Sequence, residues 1–357
     1  MSAMVRAEPF ELAGTVVGPG KRAVVQMPAA SLYTQTPLNI PVHVIHGRKP
    51  GPVLLVSAAI HGDELNGVEI IRRLLNTQAL SRLHGTLIAV PVVNVFGFIH
   101  KSRYLPDRRD LNRCFPGSES GSLGARMAWM FKSWVLDRAT HAIDLHTGAL
   151  YRSNLPQIRA NLDSEENAAM ARAFGVPLVL NSVLREGTMR EVAEAQNIPV
   201  ITYEAGEALR LEEASIRAGL RGVLNVMRHL EMLPPKKGGS QRKPPLEPAV
   251  ANSSTWVRAD SDGVFRPLVA LGARVKTGQV LARISSPFTA ADEETVVAPC
   301  SGILVGRNNL PLVNQGEALF HIARFDEIRQ VAQQVEAFTS AMADAAPVSE
   351  EELPIVP

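Results

Sequence analysis

Cysteine is almost absent from this chain: Cys114 and Cys300 are the only two among 357 residues. That count excludes a disulfide framework, and two cysteines do not make a thiolate zinc site. A reducing compartment, the cytoplasm, is the expected location. Aromatic residues are sparse, at 5%, too few for a platform on which nucleic-acid bases stack. Charge of one sign is lacking too, since 37 basic and 35 acidic residues leave a formal net charge of +2. The basic pairs Arg108-Arg109 and Lys236-Lys237 are too short to form a patch. Neither nucleic acid nor an anionic membrane surface is therefore an expected partner. The longest apolar runs, such as Val53 to Ile60, have the length of a strand and fall far short of a bilayer span. Met1 to Gly20 carries Glu8 and Glu11 and no continuous apolar core, so no secretory signal is expected.

What is present is ample apolar residue, 46%, and a length suited to one large domain with a smaller one. Residues 14–46 read as β-structure or loop. A buried strand is predicted over 52–60, introduced by Gly51-Pro52, and a helix over 66–75 from the spacing of Val68, Ile71, Leu74 and Leu75. Strands follow at 86–94, 141–146, 178–180 and 198–204, and helices at 123–138, 165–174, 189–196 and 212–230. Alternating β and α elements argue for an α/β fold, a central sheet flanked by helices. The catalytic part is placed at 1–233. Residues 234–249, rich in Pro and Gly, read as a linker. Over 250–324 short β runs alternate with Gly turns, which indicates an all-β module. The remainder, 325–357, is expected as a helix followed by an acidic tail.

Three motifs sit at the ends of predicted strands, where α/β sheets form their sites. His61-Gly-Asp-Glu64 follows the first strand. An imidazole and a carboxylate three residues apart in a turn can bend round one zinc ion, although alone the pattern is weak and far more often describes a surface turn, here with Asp63 as its cap. Asp144-Leu-His146-Thr-Gly148 ends another strand. His146 would complete a His₂Glu ligand set, and Asp144, on the same strand face, would orient a liganding imidazole. A hydrogen-bonded strand-end histidine is the plainer alternative. Tyr203-Glu204-Ala-Gly206-Glu207 ends a third strand. Glu204, fixed by the sheet, is placed to act as general base toward water at a metal, whereas Glu207, past the glycine, is expected to face solvent or to sit at a helix N-terminus. Between these motifs, residues 102–117 are dense in Arg and Pro and read equally as a solvated loop or an anion-binding loop. Cys114 lies there without a partner that would activate a thiolate. The remaining histidines, His43, His46, His84, His100, His141, His229 and His321, are expected at the surface or in packing.

His61-Gly-Asp-Glu64, Asp110-Leu-Asn-Arg113-x-Phe-Pro-Gly117, Asp144-Leu-His146-Thr-Gly148 and Glu204-x-Gly206 occur in this order. In that order they resemble the succinylglutamate desuccinylase/aspartoacylase family, itself similar to the zinc carboxypeptidases in fold and site. The resemblance covers roughly residues 40–325. It implies one zinc ion per chain on His61, Glu64 and His146, with Glu204 as base. It also implies that Asn112 and Arg113 grip a substrate carboxylate. An arginine for the oxyanion is implied as well: Arg103 is the choice, with Arg109 left open. The implied activity is hydrolysis of an N-acyl amino acid or a similar small carboxylate-bearing amide. A carboxypeptidase acting on a peptide C-terminus is the alternative, and a non-enzymatic metal-binding or carrier module ranks below both.

The β module resembles a biotinyl/lipoyl domain in Gly263-Val, Leu271-Gly-Ala-Arg-Val-Lys-Thr-Gly-Gln-Val-Leu281 and Ala298-Pro-Cys-Ser-Gly302. Between Ser285 and Thr295, where a carrier holds its lysine, there is none. A structural or gating appendage is expected instead. Nothing in the chain fixes an oligomeric state, and a homo-oligomer is compatible with it.

Overall fold

The structure is a computed structural model that describes residues 6–235, 247–289 and 293–343. The tip of the 285–295 stretch, most of the 234–249 stretch and the acidic tail lie outside the described residues. Among the described residues one sheet of 13 strands runs through the molecule. Its middle is parallel: Val200–Glu207, His141–Gly148, Lys49–Ala58 and His84–Val90 lie side by side. Pro37–His46 and Arg22–Ser31 extend it antiparallel on one side, and Arg152–Ala160 on the other.

Alternation along the parallel strands divides the interior in two. Ile143, Leu145, Ile201 and Tyr203 pack with the helices Asn66–Leu75, Glu165–Phe174 and Glu213–His229. Ala142 and Val200 point the other way, to a core shared with Leu123–Trp134 and Met189–Ala195. Successive strand residues face opposite sides, so Asp144 and His146 continue the face of Ala142, and Thr202 and Glu204 that of Val200. The second core fills the lower part of that face; where it stops, polar residues begin.

Several elements differ from the expected pattern. The 123–138 helix is Leu123–Trp134 followed by a separate 3₁₀ turn at Leu136–Arg138. The strand expected at 198–204 continues to Glu207, with a register shift after Glu204. Arg152–Ala160 is a strand that periodicity does not announce, because its alternation is interrupted by polar residues and by Pro156.

The C-terminal part is all-β over 249–324, followed by the helix Ile328–Ala343. A second sheet, Glu293–Val297, Val280–Ser285, Gly263–Pro267 and Leu312–Val313, encloses with Ser253–Arg258, Gly302–Asn308 and Ala318–Arg324 a core of Phe265, Leu281, Ile284, Phe320 and Ile322. These strands join the main sheet: Gly302–Asn308 pairs with Arg152–Ala160, and Ala249–Ala251 with Leu178–Asn181. The last helix returns to place Met342 in the core beneath the Glu213–His229 helix.

Candidate active site

The turn after Lys49–Ala58 carries His61 and Glu64 inward, and the end of His141–Gly148 brings His146 beside them. All three are buried, at 4%, 1% and 6% exposure. Each offers one ligand atom, and these atoms lie within 4.8 Å of one another. His61 Nδ1 is 2.7 Å from Glu64 Oε1, and His146 Nδ1 is 2.8 Å from Glu64 Oε2. The second nitrogen of each imidazole faces a different carboxylate. His146 Nε2 is 2.7 Å from Asp144 Oδ2, and His61 Nε2 is 3.2 Å from Asp110 Oδ1. Asp144 in turn accepts from Ser57 Oγ at 2.8 Å. Converging imidazole and carboxylate donors, each imidazole held from behind, are a donor set that fits zinc.

Burial alone would disfavour charge here, but the groups hold one another. The Glu64 carboxyl is kept well below the usual range because the pull of His61 and His146 outweighs its burial. Burial works to lower the His146 pKa, yet Asp144 and Glu64 raise it. Asp110 is held down in the same way, by His61 and Arg103 against its burial.

Glu204 stands in register with His146 on the neighbouring strand and so projects from the same face. Asn154 Nδ2 donates to Glu204 Oε2, and Arg159 Nε lies 3.3 Å from Oε1. Glu207, expected to face solvent or to sit at a helix N-terminus, is half-buried, and its carboxylate accepts from Asn309 Nδ2 at 2.8 Å. Arg103 bridges Asp110 Oδ2 at 2.9 Å and Glu64 Oε1 at 3.4 Å. Arg109 is exposed, near Asp107. Asn112 Oδ1 accepts from Met189 N at 3.0 Å, and Phe115 N donates to Gly187 O at 3.0 Å. Those two bonds pin the 110–117 loop over the start of the Met189–Ala195 helix.

A cavity of 480 Å³ opens over these groups, and His61, Glu64, Arg103, Asn112, Arg113, Asp144, His146 and Glu204 all line it. So do Arg152, Arg159, Arg185 and Arg190, which motif reading did not single out. Six guanidinium groups thus face three carboxylates, Glu64, Asp144 and Glu204. Burial lowers the pKa of Arg113, with Arg185 and Arg103 adding and Asp110 opposing. Burial does the same to Arg190, whose Nη1 is buried without a hydrogen-bond partner among the described residues. Crowded, partly desolvated guanidiniums are arranged for an anion. No sequence signal marks Arg152, Arg159 or Arg190, because their meeting depends on a strand and a helix far apart in the chain. Asp110 opens the Asp110-Leu-Asn-Arg113 motif, but nothing in its spacing ties it to His61.

Fold and site together define an α/β protein with a buried His₂Glu centre at the carboxyl ends of its parallel strands. The model of the succinylglutamate desuccinylase/aspartoacylase catalytic domain matches residues 50–230, and the chain belongs to that family. It is 27% identical over 306 residues to the N-alpha-acetyl-L-2,4-diaminobutyric acid deacetylase of Halomonas elongata, spanning 81% of this chain and 86% of that protein. Among solved structures, the succinylglutamate desuccinylase/aspartoacylase from Rhodobacter sphaeroides superposes with a TM-score of 0.76 at 25% identity, covering 85% of this chain and 96% of that one. The product-bound ectoine utilization protein EutE (DoeB) from Ruegeria pomeroyi gives a TM-score of 0.75 at 26% identity, covering 85% and 95%. Among the described residues no helix is long and apolar enough to cross a membrane.

Proposed function

We propose that the protein is a zinc-dependent amidohydrolase that removes the acyl group from an N-acyl amino acid. The observation that carries this reading is the position of Glu204 beside His146, on one face, next to a convergent His61–Glu64–His146 donor set. Both the H. elongata relative and the family name point to deacylation of amino acids.

Zinc held by those three residues would polarise the scissile carbonyl. Asn112 has its side-chain oxygen engaged by Met189 N, which leaves its amide N–H groups to donate to the substrate carboxylate beside Arg113. Arg103, anchored by Asp110, supplies positive charge to the oxyanion of the tetrahedral intermediate. Glu204 takes a proton from the attacking water and passes it to the leaving amine. Asn154 and Arg159 set the direction of its carboxylate. The excess of guanidinium over carboxylate groups in the cavity favours an acidic substrate over one with a cationic side chain such as diaminobutyrate. The β module, despite its biotinyl/lipoyl resemblance, acts as a wall of the cavity rather than as a carrier; that wall favours small amides over peptides.

The test is a panel of N-acetyl, N-succinyl and N-formyl amino acids, acidic and basic, scored for free amine with zinc and after chelation. Release of acidic amino acids that chelation abolishes is expected. Cleavage of peptide C-termini in preference to every N-acyl amino acid would overturn the deacylase reading in favour of a carboxypeptidase.

A further inference from the structure

One fully buried polar side chain has no part in the chemistry above. Gln157 is 0% exposed, and neither its Oε1 nor its Nε2 has a hydrogen-bond partner among the described residues. A buried amide left unpaired destabilises the folded state, so packing gives no reason for it. Its place in the sheet does. Gln157 stands in register with Glu204 on the adjacent strand, as Ile158 does with Tyr203. Ile158 and Tyr203 point into the core that the Glu213–His229 helix covers, so Gln157 and Glu204 both turn to the opposite face, that of the cavity. Arg159, two residues further along the strand of Gln157, lines that cavity. In-register Cβ atoms lie roughly 5 Å apart, within the reach of two side chains of this length.

The two oxygens of Glu204 are held unequally. Asn154 Nδ2 donates to Oε2. Oε1 faces Arg159 Nε at 3.3 Å, but that Nε is buried without an aligned hydrogen bond, so Oε1 is held by charge alone. Arg190, on the Met189–Ala195 helix, feels the charges of both Glu204 and Arg159. The β module sets a neutral group beside them: His321 stacks on Trp256 with ring centroids 4.5 Å apart, and burial next to Arg159 keeps its imidazole uncharged. A hold by charge changes during the reaction. Once Glu204 has taken a proton from water it is neutral, and the guanidinium attracts it far less. An amide N–H donates to a carboxyl oxygen in either state.

We propose that Gln157 is a positioning residue for Glu204. Its amide turns to Oε1 while the base carries the proton and keeps the carboxyl aimed at the leaving amine. The proposal rests on the reading of Glu204 as the base. Its proton balance is that of the reaction already described: the proton leaves the attacking water, resides on Glu204 and passes to the amine, and Gln157 neither gains nor loses one. A side chain kept for this purpose, and not for packing, sets stability against activity.

The experiment compares wild type, Gln157→Met, Glu204→Gln and the double variant on the acidic N-acyl amino acid that wild type hydrolyses fastest, with zinc content and denaturant midpoint measured for each. Methionine has a similar volume and no unpaired polar atom, so Gln157→Met should fold with an unchanged or higher midpoint and full zinc. Its kcat should fall roughly tenfold or more, the worth of a hydrogen bond to a charged group, with KM within about twofold. In the Glu204→Gln background the same change should add less than about twofold, because Gln157 acts only through that carboxylate. An unchanged kcat in Gln157→Met, or an equal loss in both backgrounds, overturns the proposal and leaves the deacylase reading standing. Where Gln157→Met does not fold, Gln157→Leu reads the same contrast. If Glu204→Gln is itself fully active, the reading of Glu204 as base fails and the role of Gln157 falls with it.

Discussion

His61 and His146 each turn one ring nitrogen to Glu64 and the other to an outer carboxylate. Outer partners of this kind fix ring orientation and raise ligand basicity, and losing one typically costs about 10–100-fold in metal affinity. Asp110→Asn should therefore weaken zinc binding by that order, measured by competition with a chelator. An unchanged affinity would mean that Asp110 serves the loop alone. His61→Ala and His146→Ala should bind much less than one zinc per chain; full occupancy in both would remove them from the ligand set. Glu204→Gln should keep fold and metal and lower kcat by ~10²–10⁴, with KM little changed, since the amide cannot take the proton. Glu207→Gln should stay near wild type, because Glu207 bonds Asn309 and does not line the cavity. A dead Glu207→Gln beside an active Glu204→Gln would put the base on the other side of Gly206.

The Glu213–His229 helix approaches its neighbours through two glycines. A Cβ at Gly222 would come within 2.1 Å of the Phe174 ring, and one at Gly219 within 2.3 Å of Ile70 Cδ1. Alanine gains about 1 kcal/mol of helix propensity over glycine, but forcing a methyl into a filled core typically costs 1–3 kcal/mol. Gly222→Ala should thus destabilise, read as a lower denaturant midpoint; a higher midpoint would show that the helices part freely. The same helix is joined to Asn66–Leu75 by Arg73, which meets Glu69 at 2.7 Å and Glu213 at 2.7 Å. Hydrogen bonds from Arg73 and Arg217 lower the Glu213 carboxyl to about 2. A depressed folded-state pKa gives stability that is present above the unfolded pKa near 4.5 and fades as pH falls toward 2. Glu213 is half exposed, and such a pair contributes roughly 0.2–1 kcal/mol. Glu213→Gln should lower the melting temperature slightly at pH 7, with the difference from wild type shrinking below pH 4; a constant difference would rule out the ion pair as its source.

The two halves of the chain share a sheet, and the last helix returns to the catalytic core. Unfolding of one half removes strand partners and buried apolar surface from the other. A single calorimetric transition, with matching calorimetric and van't Hoff enthalpies, is therefore expected. Two separated transitions would show that the β module is held only loosely. The same continuity of the sheet brings Trp256, over a hundred residues from His146 in the chain, to the wall of the same cavity.

His61, Glu64, His146 and Glu204 were legible because each sits in a short motif at the end of a segment whose apolar run marks a buried strand, whereas the Asn112-Arg113 pair, in a loop without periodicity, was reached only through the family resemblance. Local pattern also placed Asp144 on the face of His146, since alternation along a strand is a property of the backbone. Arg152–Ala160 was not legible as a strand. Its polar positions, Asn154 and Arg159, serve the cavity, and that interrupts the apolar alternation by which strands are read. Asp110 behind His61, Arg159 and Asn154 around Glu204, and His321 beneath Trp256 are contacts between elements remote in sequence. The sequence by itself determined the donor types and the strands that carry them. Only strand order and register in the folded sheet decided which side chains stand behind, beside and opposite those donors, because residues in register across strands meet whatever their separation in the chain.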